Sequence, residues 1–124
     1  MKHIFISSLD SLEYSPDNTT YDFTVTLPEP IIGRYKVALT EISYPTHFED
    51  LYIFCDIVEQ SYLQDKSLPL LRIVTGMGEL NHLYYFNVTR QVIQRLRVYI
   101  LDKNLEKPFE DCGPIRMTLV FETI

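Results

Sequence analysis

The clearest structural signal in the sequence is the stretch Ile115-Arg116-Met117-Thr118-Leu119-Val120-Phe121-Glu122. Isoleucine, methionine, leucine and phenylalanine alternate in it with arginine, threonine, valine and glutamate. Side chains alternate between the two faces of a β-strand, whereas helical side chains return to one face about every 3.6 residues. The stretch therefore predicts a strand with one buried face and a well-specified register.

Two earlier stretches show the same alternation of apolar and polar residues. Residues 22–27 and 34–39 alternate apolar with polar side chains, and a turn is predicted between them at Gly33. The triplet Pro28-Glu29-Pro30 is expected to stop the first of these strands, because proline lacks the N–H group that a β-ladder needs. Residues 42–44 predict a bulge or a change of face in the second strand.

Further strands bring the expected count to about eight. A fourth alternation covers residues 96–101, and four shorter apolar runs are strand candidates: residues 3–7, 51–58, 70–75 and 83–88. At most one short helix is expected, and its candidate is the segment 89–96 with Thr89 as its N-cap. Strands that recur at short intervals without long helices predict a sandwich or a barrel.

We predict an all-β fold, an eight-stranded antiparallel sandwich of the single jelly-roll type, in one domain over residues 1–124. Its first strand, near residues 3–7, is expected to pair with its last strand, near residues 115–122. The predicted core consists of Phe23, Val25, Leu27, Val37, Leu39, Val98, Ile100, Leu119 and Phe121.

The composition is that of an ordinary globular domain. The 124 residues are 46% hydrophobic and 23% charged, which suits a single core. The formal net charge of −6 repels phosphate backbones and anionic lipids, so nucleic acid and membranes are not expected partners. A local basic stretch is expected to lie mostly on a solvated face. It consists of Arg90, Arg95, Arg97 and Lys103.

No part of the sequence predicts secretion or a membrane span. Residues 1–7 lack the long apolar run of a signal peptide, and no window approaches the ~18 apolar residues of a spanning helix. The chain is therefore expected to stay in a reducing compartment, with Cys55 and Cys112 as free thiols and Cys55 buried. The glycosylation sequons at Asn18 and Asn87 are expected to be chance matches.

The residues that could carry catalysis are scattered. No motif joins the three histidines, the two cysteines and the carboxylates. His47 lies near Glu49 and Asp50 and could bind a metal with them, although such residues are also typical of a solvated loop. Residues 76–78 lack the lysine and the hydroxyl residue of a nucleotide-binding loop. We expect no catalytic residue, no metal and no cofactor, and the chain is not predicted to be an enzyme.

Three segments of the sequence resemble a known family. They are Tyr14-Ser15-Pro16-Asp17-Asn18-Thr19 with Asp22-Phe23-Thr24-Val25-Thr26-Leu27-Pro28-Glu29-Pro30, then Tyr35-Lys36-Val37-Ala38-Leu39-Thr40-Glu41-Ile42-Ser43-Tyr44-Pro45, then Leu96-Arg97-Val98-Tyr99-Ile100-Leu101-Asp102 running on to Gly113-Pro114-Ile115-Arg116-Met117-Thr118-Leu119. Together they resemble the small minor capsid, or penton-like, proteins encoded by Polinton/Maverick elements and by related double-stranded DNA viruses such as adintoviruses. The chain differs from that family in having Tyr35 where a tryptophan is expected, and in being shorter.

The resemblance implies a structural virion protein, a single jelly roll that assembles at a capsid vertex. Its implied partners are further copies of itself, in a homo-oligomer that could be a pentamer, and a major capsid protein. Its implied location is the virion, after synthesis in the cytoplasm or nucleus of the host cell.

Four tyrosines in the middle of the chain are the candidate interface residues: Tyr52, Tyr62, Tyr84 and Tyr85. Aromatic side chains are enriched in the cores of protein interfaces. Each tyrosine could instead pack inside the fold with its hydroxyl group hydrogen-bonded. The alternative function is a monomeric β-sandwich binding module that docks a host or viral protein through its loops.

Overall fold

A computed structural model describes residues 1–8, 16–44, 50–63, 65–75, 78–80, 82–106 and 115–124. This part of the chain is all-β with almost no helix, as predicted, and it contains eleven strands. The strands are β1 (Lys2–Ser7), β2 (Asp22–Ile32), β3 (Tyr35–Ser43), β4 (Leu51–Cys55), β5 (Ser61–Leu63), β6 (Lys66–Leu68), β7 (Leu70–Val74), β8 (Gly78–Glu79), β9 (Phe86–Asn87), β10 (Val92–Leu101) and β11 (Arg116–Thr123).

The strands form two main sheets and one small hairpin. Sheet A has the order β1-β11-β3-β8, and β9 also pairs with β3. Sheet B has the order β2-β10-β4-β7, and β5 pairs only with β6. Every pairing is antiparallel. The three strands beyond the expected eight are β5, β6 and β8, which are too short to leave an alternating pattern in the sequence.

The first and last strands pair with each other, which confirms the prediction for the chain ends. In this register Ile4 lies opposite Leu119 and Ile6 lies opposite Met117. Ser8 extends the pairing, because its N–H donates to the Ile115 carbonyl at 2.9 Å and its Oγ accepts from the Ile115 N–H at 2.8 Å. The first and last strands of the chain are thereby fixed to one another within sheet A.

The predicted core is confirmed, with one residue at its margin. Eight of the nine predicted side chains are buried, and Val25 is partly buried against the same cluster. The outer face of β11 is less exposed than its alternation suggests, because Thr118 and Val120 are also buried. Since β11 lies between β1 and β3, its side chains have neighbours on both sides.

The prolines of β2 do not end the strand, so that prediction is wrong. The strand continues to Ile32, but its pairing with β10 is interrupted: Thr26 lies opposite Arg95, and pairing resumes only where Ile31 meets Ile93. Gln94 closes the gap, because its Nε2 donates to the Leu27 carbonyl at 3.1 Å. A side-chain donor thus replaces ladder bonds that the proline segment does not make.

The predicted irregularity in β3 is confirmed, at a slightly earlier position. The register with β11 shifts where Leu39 is followed by Glu41. Leu39 and Ile42 are therefore both buried although they are three positions apart. The predicted turn between β2 and β3 is made by Gly33, whose φ of 127° favours a residue without a Cβ atom.

The helix candidate at residues 89–96 is wrong, because Val92–Leu101 is strand β10. Inward-facing Ile93, Leu96, Val98 and Ile100 are all buried, and this burial outweighs the local helix preference of the first residues. The predicted strand at 83–88 is reduced to Phe86–Asn87.

Candidate interaction surfaces

The four candidate tyrosines lie on three different elements of the fold. Tyr52 is half-buried on β4, and Tyr62 is 90% exposed on the β5-β6 hairpin. Tyr84 is exposed and Tyr85 is half-buried, both in the connection that leads to β9. The structure therefore does not bring the four together into one surface.

Tyr52 belongs to a larger apolar patch on the outer face of sheet B. Along one row of the sheet, Leu101 lies opposite Tyr52, which lies opposite Ile73. Along the next row, Tyr99 lies opposite Phe54, which lies opposite Leu70. We call these six residues the aromatic patch.

Phe54 and Tyr99 form the centre of the aromatic patch. Their rings stack with centroids 4.9 Å apart and planes inclined by 10°. Phe54 is fully buried, whereas Tyr99 is half-buried, and partial burial raises the pKa of the Tyr99 hydroxyl. The stacked pair gives the patch a rigid base of low conformational freedom.

Arg97 covers the exposed side of Tyr99. Its guanidinium carbon lies 4.6 Å from the centre of the Tyr99 ring. Its Nε and Nη2 atoms donate to the two carboxylate oxygens of Asp22 at 2.9 and 2.8 Å. The hydrogen bonds to Asp22 raise the pKa of Arg97. Arg97 is therefore held in place by a two-point ion pair and a ring contact.

A second ion pair lies beside the first. Arg90 Nη2 is 3.2 Å from Asp56 Oδ2, and Asp56 Oδ1 accepts from the Arg97 backbone N–H at 2.9 Å. Arg90, Arg95, Arg97 and Lys103 are all exposed, as the sequence predicts for the basic stretch. Arg90 and Arg97 each pair with a carboxylate of the same chain.

Tyr84 and Tyr85 are each held by a cation. The guanidinium carbon of Arg72 lies 4.4 Å from the centre of the Tyr84 ring, and Arg72 also donates to the His82 carbonyl. Lys36 Nζ lies 4.8 Å from the centre of the Tyr85 ring. Partial burial and a hydrogen bond to Glu122 raise the pKa of Tyr85. These contacts anchor both rings on the surface.

Sheet A carries an open groove on its outer face, with a volume of about 450 Å³. It crosses β1, β11 and β3 and is lined by Phe5, Ile6, Ser7, Glu41, Ser43, Arg116, Met117 and Thr118. Phe5 lies opposite Thr118, which lies opposite Glu41. Arg116 lies one row away, between Ser7 and Ser43.

The charged groups of the groove are left without partners in the described part of the chain. Glu41 and Arg116 are both exposed, and neither makes an ion pair or a side-chain hydrogen bond with a described residue. Phe5 is 78% exposed in the same groove. An aromatic ring, a cation and an anion therefore face one open space.

The candidate catalytic and metal-binding side chains are not grouped into a site within the described part of the chain. Cys55 is a buried free thiol, as predicted, and burial raises its pKa to about 12. His3 and His82 are exposed on different parts of the surface. Among the described residues no three His, Cys, Asp or Glu side chains are grouped to hold a metal. Cys112, His47, Glu49 and residues 76–77 lie outside the described residues.

Sequence reasoning missed most of the aromatic patch and all of the groove. The signal for the patch was present in residues 98–101, where Tyr99 and Leu101 occupy the face opposite Val98 and Ile100. A strand that is apolar on both faces is typical of one whose outer face is also covered. The groove needs Phe5, Glu41 and Arg116, whose strands are far apart in the sequence.

Comparisons of the chain with protein-family models, with curated proteins and with solved structures found no match. None of the helical structure in the described residues is both long and apolar enough to span a membrane.

Proposed function

We propose that this protein is a structural virion protein, a minor capsid or penton-like jelly roll that assembles through protein–protein contacts at a capsid vertex. The observation that carries the proposal is the path of the chain between the two sheets. β1, β3 and β11 belong to sheet A, whereas β2, β4, β7 and β10 belong to sheet B.

The strand order supports the jelly-roll assignment. Setting aside the β5-β6 hairpin, and counting β8 and β9 as one position because both pair with β3, the eleven strands reduce to eight positions. In that numbering, sheet A has the order 1-8-3-6 and sheet B has the order 2-7-4-5. A jelly roll is an eight-stranded double sheet of this kind, and viral capsid domains are among the proteins that use it.

The outer surface supports a role in assembly, which the fold alone would not do. The aromatic patch places half-buried Tyr52, Tyr99 and Leu101 and exposed Ile73 around a fully buried Phe54 on the outer face of sheet B. Interface cores are enriched in aromatic residues and depleted in charged ones. Tyr52 lies within the patch, which favours it among the four candidate interface tyrosines.

The partners in this proposal are further copies of the chain, in a ring that could be a pentamer, and a major capsid protein. The protein would be made in the cytoplasm or nucleus of the host cell and built into the virion. It would act without a catalytic residue or a cofactor.

The proposal is tested by light scattering coupled to size-exclusion chromatography, from micromolar to near-millimolar protein, with and without a major capsid protein. The range is needed because association depends on concentration. We expect a closed ring, or a complex with the major capsid protein, in at least one of these conditions. A strictly monomeric chain in all of them overturns the proposal and supports the monomeric binding module.

A further inference from the structure

The β5-β6 hairpin carries a charged tip beside an exposed aromatic ring. Tyr62 on β5 is 90% exposed, and Asp65 and Lys66 follow it, both exposed. Neither Asp65 nor Lys66 makes an ion pair with another described residue. Tyr62 lies opposite Ser67, and Leu63 lies opposite Lys66. Because side chains alternate along a strand, Tyr62 and Lys66 project from opposite faces of the hairpin.

The groove on sheet A offers the complementary set of groups. Phe5 forms one wall on β1 and Glu41 forms the other wall on β3. Arg116 lies on β11, the strand between the walls, one row along from them. Glu41 and Arg116 have no ion-pair partner among the described residues, like the two charges of the hairpin. Each surface therefore presents an aromatic ring, a cation and an anion, and neither charge has an ion-pair partner among the described residues.

We propose that the β5-β6 hairpin of one copy inserts into the sheet A groove of the next copy. Asp65 at the tip pairs with Arg116 on the central strand of the groove. Tyr62 on one face of the hairpin packs against Phe5, and Lys66 on the other face pairs with Glu41. The assignment rests on the proposed self-assembly and names the surfaces that carry it.

The dimensions of the two surfaces agree with this arrangement. β1 and β3 lie on either side of β11, so the walls of the groove are about two strand spacings, or roughly 10 Å, apart. The groove volume of about 450 Å³ falls in the range of protein clefts that bind a ligand, roughly 300–1,000 Å³. The two strands of a hairpin lie about 5 Å apart, which is less than the distance between the walls of the groove.

The arrangement allows copies of the chain to join head to tail in a ring. The hairpin joins two strands of sheet B, β4 and β7, whereas the groove lies on the outer face of sheet A. The two surfaces are different parts of one chain, so each copy can offer its hairpin to one neighbour and its groove to another, which is a head-to-tail contact. Head-to-tail contacts generate closed rings when the rotation between copies closes.

Reciprocal charge reversal tests the pairing of Asp65 with Arg116. The variants are Asp65→Arg, Arg116→Asp and the double variant with both changes. Each single variant places like charges together in every contact, and we expect its association constant to fall about tenfold or more. The double variant restores opposite charges, and we expect its association to return towards that of the unchanged chain. Arg95→Asp is the matched control, since Arg95 is an exposed arginine on β10 that lies outside both surfaces.

The readout is the monomer–oligomer equilibrium measured by sedimentation velocity, with thermal unfolding as the check that each variant is folded. Weakened single variants, a recovered double variant and an unchanged Arg95→Asp support the contact. If the unchanged chain assembles and every variant assembles equally well, the hairpin–groove contact is overturned while the proposed function stands. If the unchanged chain is monomeric alone and with the major capsid protein, both proposals are overturned.

Discussion

The outer faces of the two sheets differ in what their charged side chains contact. On sheet B, Arg97 is bound to Asp22 by two hydrogen bonds and covers the ring of Tyr99. In the groove of sheet A, Glu41 and Arg116 face open space without an ion-pair partner among the described residues. Charges that are paired within the chain contribute to folding, whereas unpaired exposed charges remain available for another molecule.

The edges of the sheets show a related difference. On β2, the edge strand of sheet B, Asn18 donates to the Thr24 carbonyl at 3.2 Å and accepts from the Thr24 N–H at 3.0 Å. The Asn18 side chain thus supplies the pair of bonds that a further strand would supply. Protecting an edge in this way limits unwanted pairing with other chains. The β2 edge of sheet B is thus capped at Thr24 by a side chain of the same chain, and the open groove lies on sheet A.

The largest expected effect is on stability, and it distinguishes a side chain on the inner face of sheet A from one on the outer face. Phe121→Ala removes a fully buried ring, and we expect the free energy of unfolding to fall by about 3–5 kcal/mol. Phe5→Ala makes the same chemical change in the same sheet at a side chain that is 78% exposed. We expect that control to stay within about 0.5 kcal/mol of the unchanged protein in urea unfolding. Equal losses in the two variants would mean that Phe5 belongs to the folded core and not to an interaction surface.

Much of the fold could be predicted from the sequence because its strands are half-buried. Alternation in residues 115–122 indicates which side chains face inwards, and Leu119 and Phe121 are indeed buried. The alternation of apolar and polar residues does not show whether a strand continues beyond a proline segment. The prolines of β2 are therefore misleading, because the Gln94 amide that bridges the gap comes from a strand far along the chain.

The surfaces could be predicted only in part. Exposed Tyr62 and half-buried Tyr52 were singled out because tyrosine is common at interfaces, without knowledge of their neighbours. The groove depends on the order β1-β11-β3, which brings the two ends of the chain and its first third together. Local periodicity carries no information about that order, so Glu41 and Arg116 could not be recognised as neighbours.

A smaller effect is expected at the edge of sheet B. Asn18→Ala removes both side-chain bonds to Thr24, and we expect a loss of about 1–3 kcal/mol, because the Thr24 N–H and carbonyl lose their partner. The matched control is Asn87→Ala. Asn87 is an exposed asparagine of β9, and its hydrogen bonds to described residues are made by its backbone and not by its side chain. Chemical unfolding followed by tyrosine fluorescence gives both values. An Asn18→Ala variant as stable as the Asn87→Ala variant would show that the edge of sheet B does not need this side chain.

The smallest effect tests the difference between the two faces directly, with one arginine from each. Arg97→Ala removes the ion pair with Asp22 and the contact with the Tyr99 ring, and we expect a loss of about 1 kcal/mol. The value is modest because the two partners of the ion pair are 50% and 39% exposed, so solvent screens their attraction.

Arg116→Ala should leave stability within about 0.5 kcal/mol of the unchanged protein, since Arg116 has no ion-pair partner among the described residues. Urea unfolding at low and at high salt separates the two arginines further. Added salt should shrink the effect of Arg97→Ala, because screening weakens the ion pair that the variant lacks, and it should leave that of Arg116→Ala unchanged. If Arg116→Ala destabilises the chain as much as Arg97→Ala does, then Arg116 is held within the fold. The groove of sheet A would then have no free cation to offer to Asp65 of another copy.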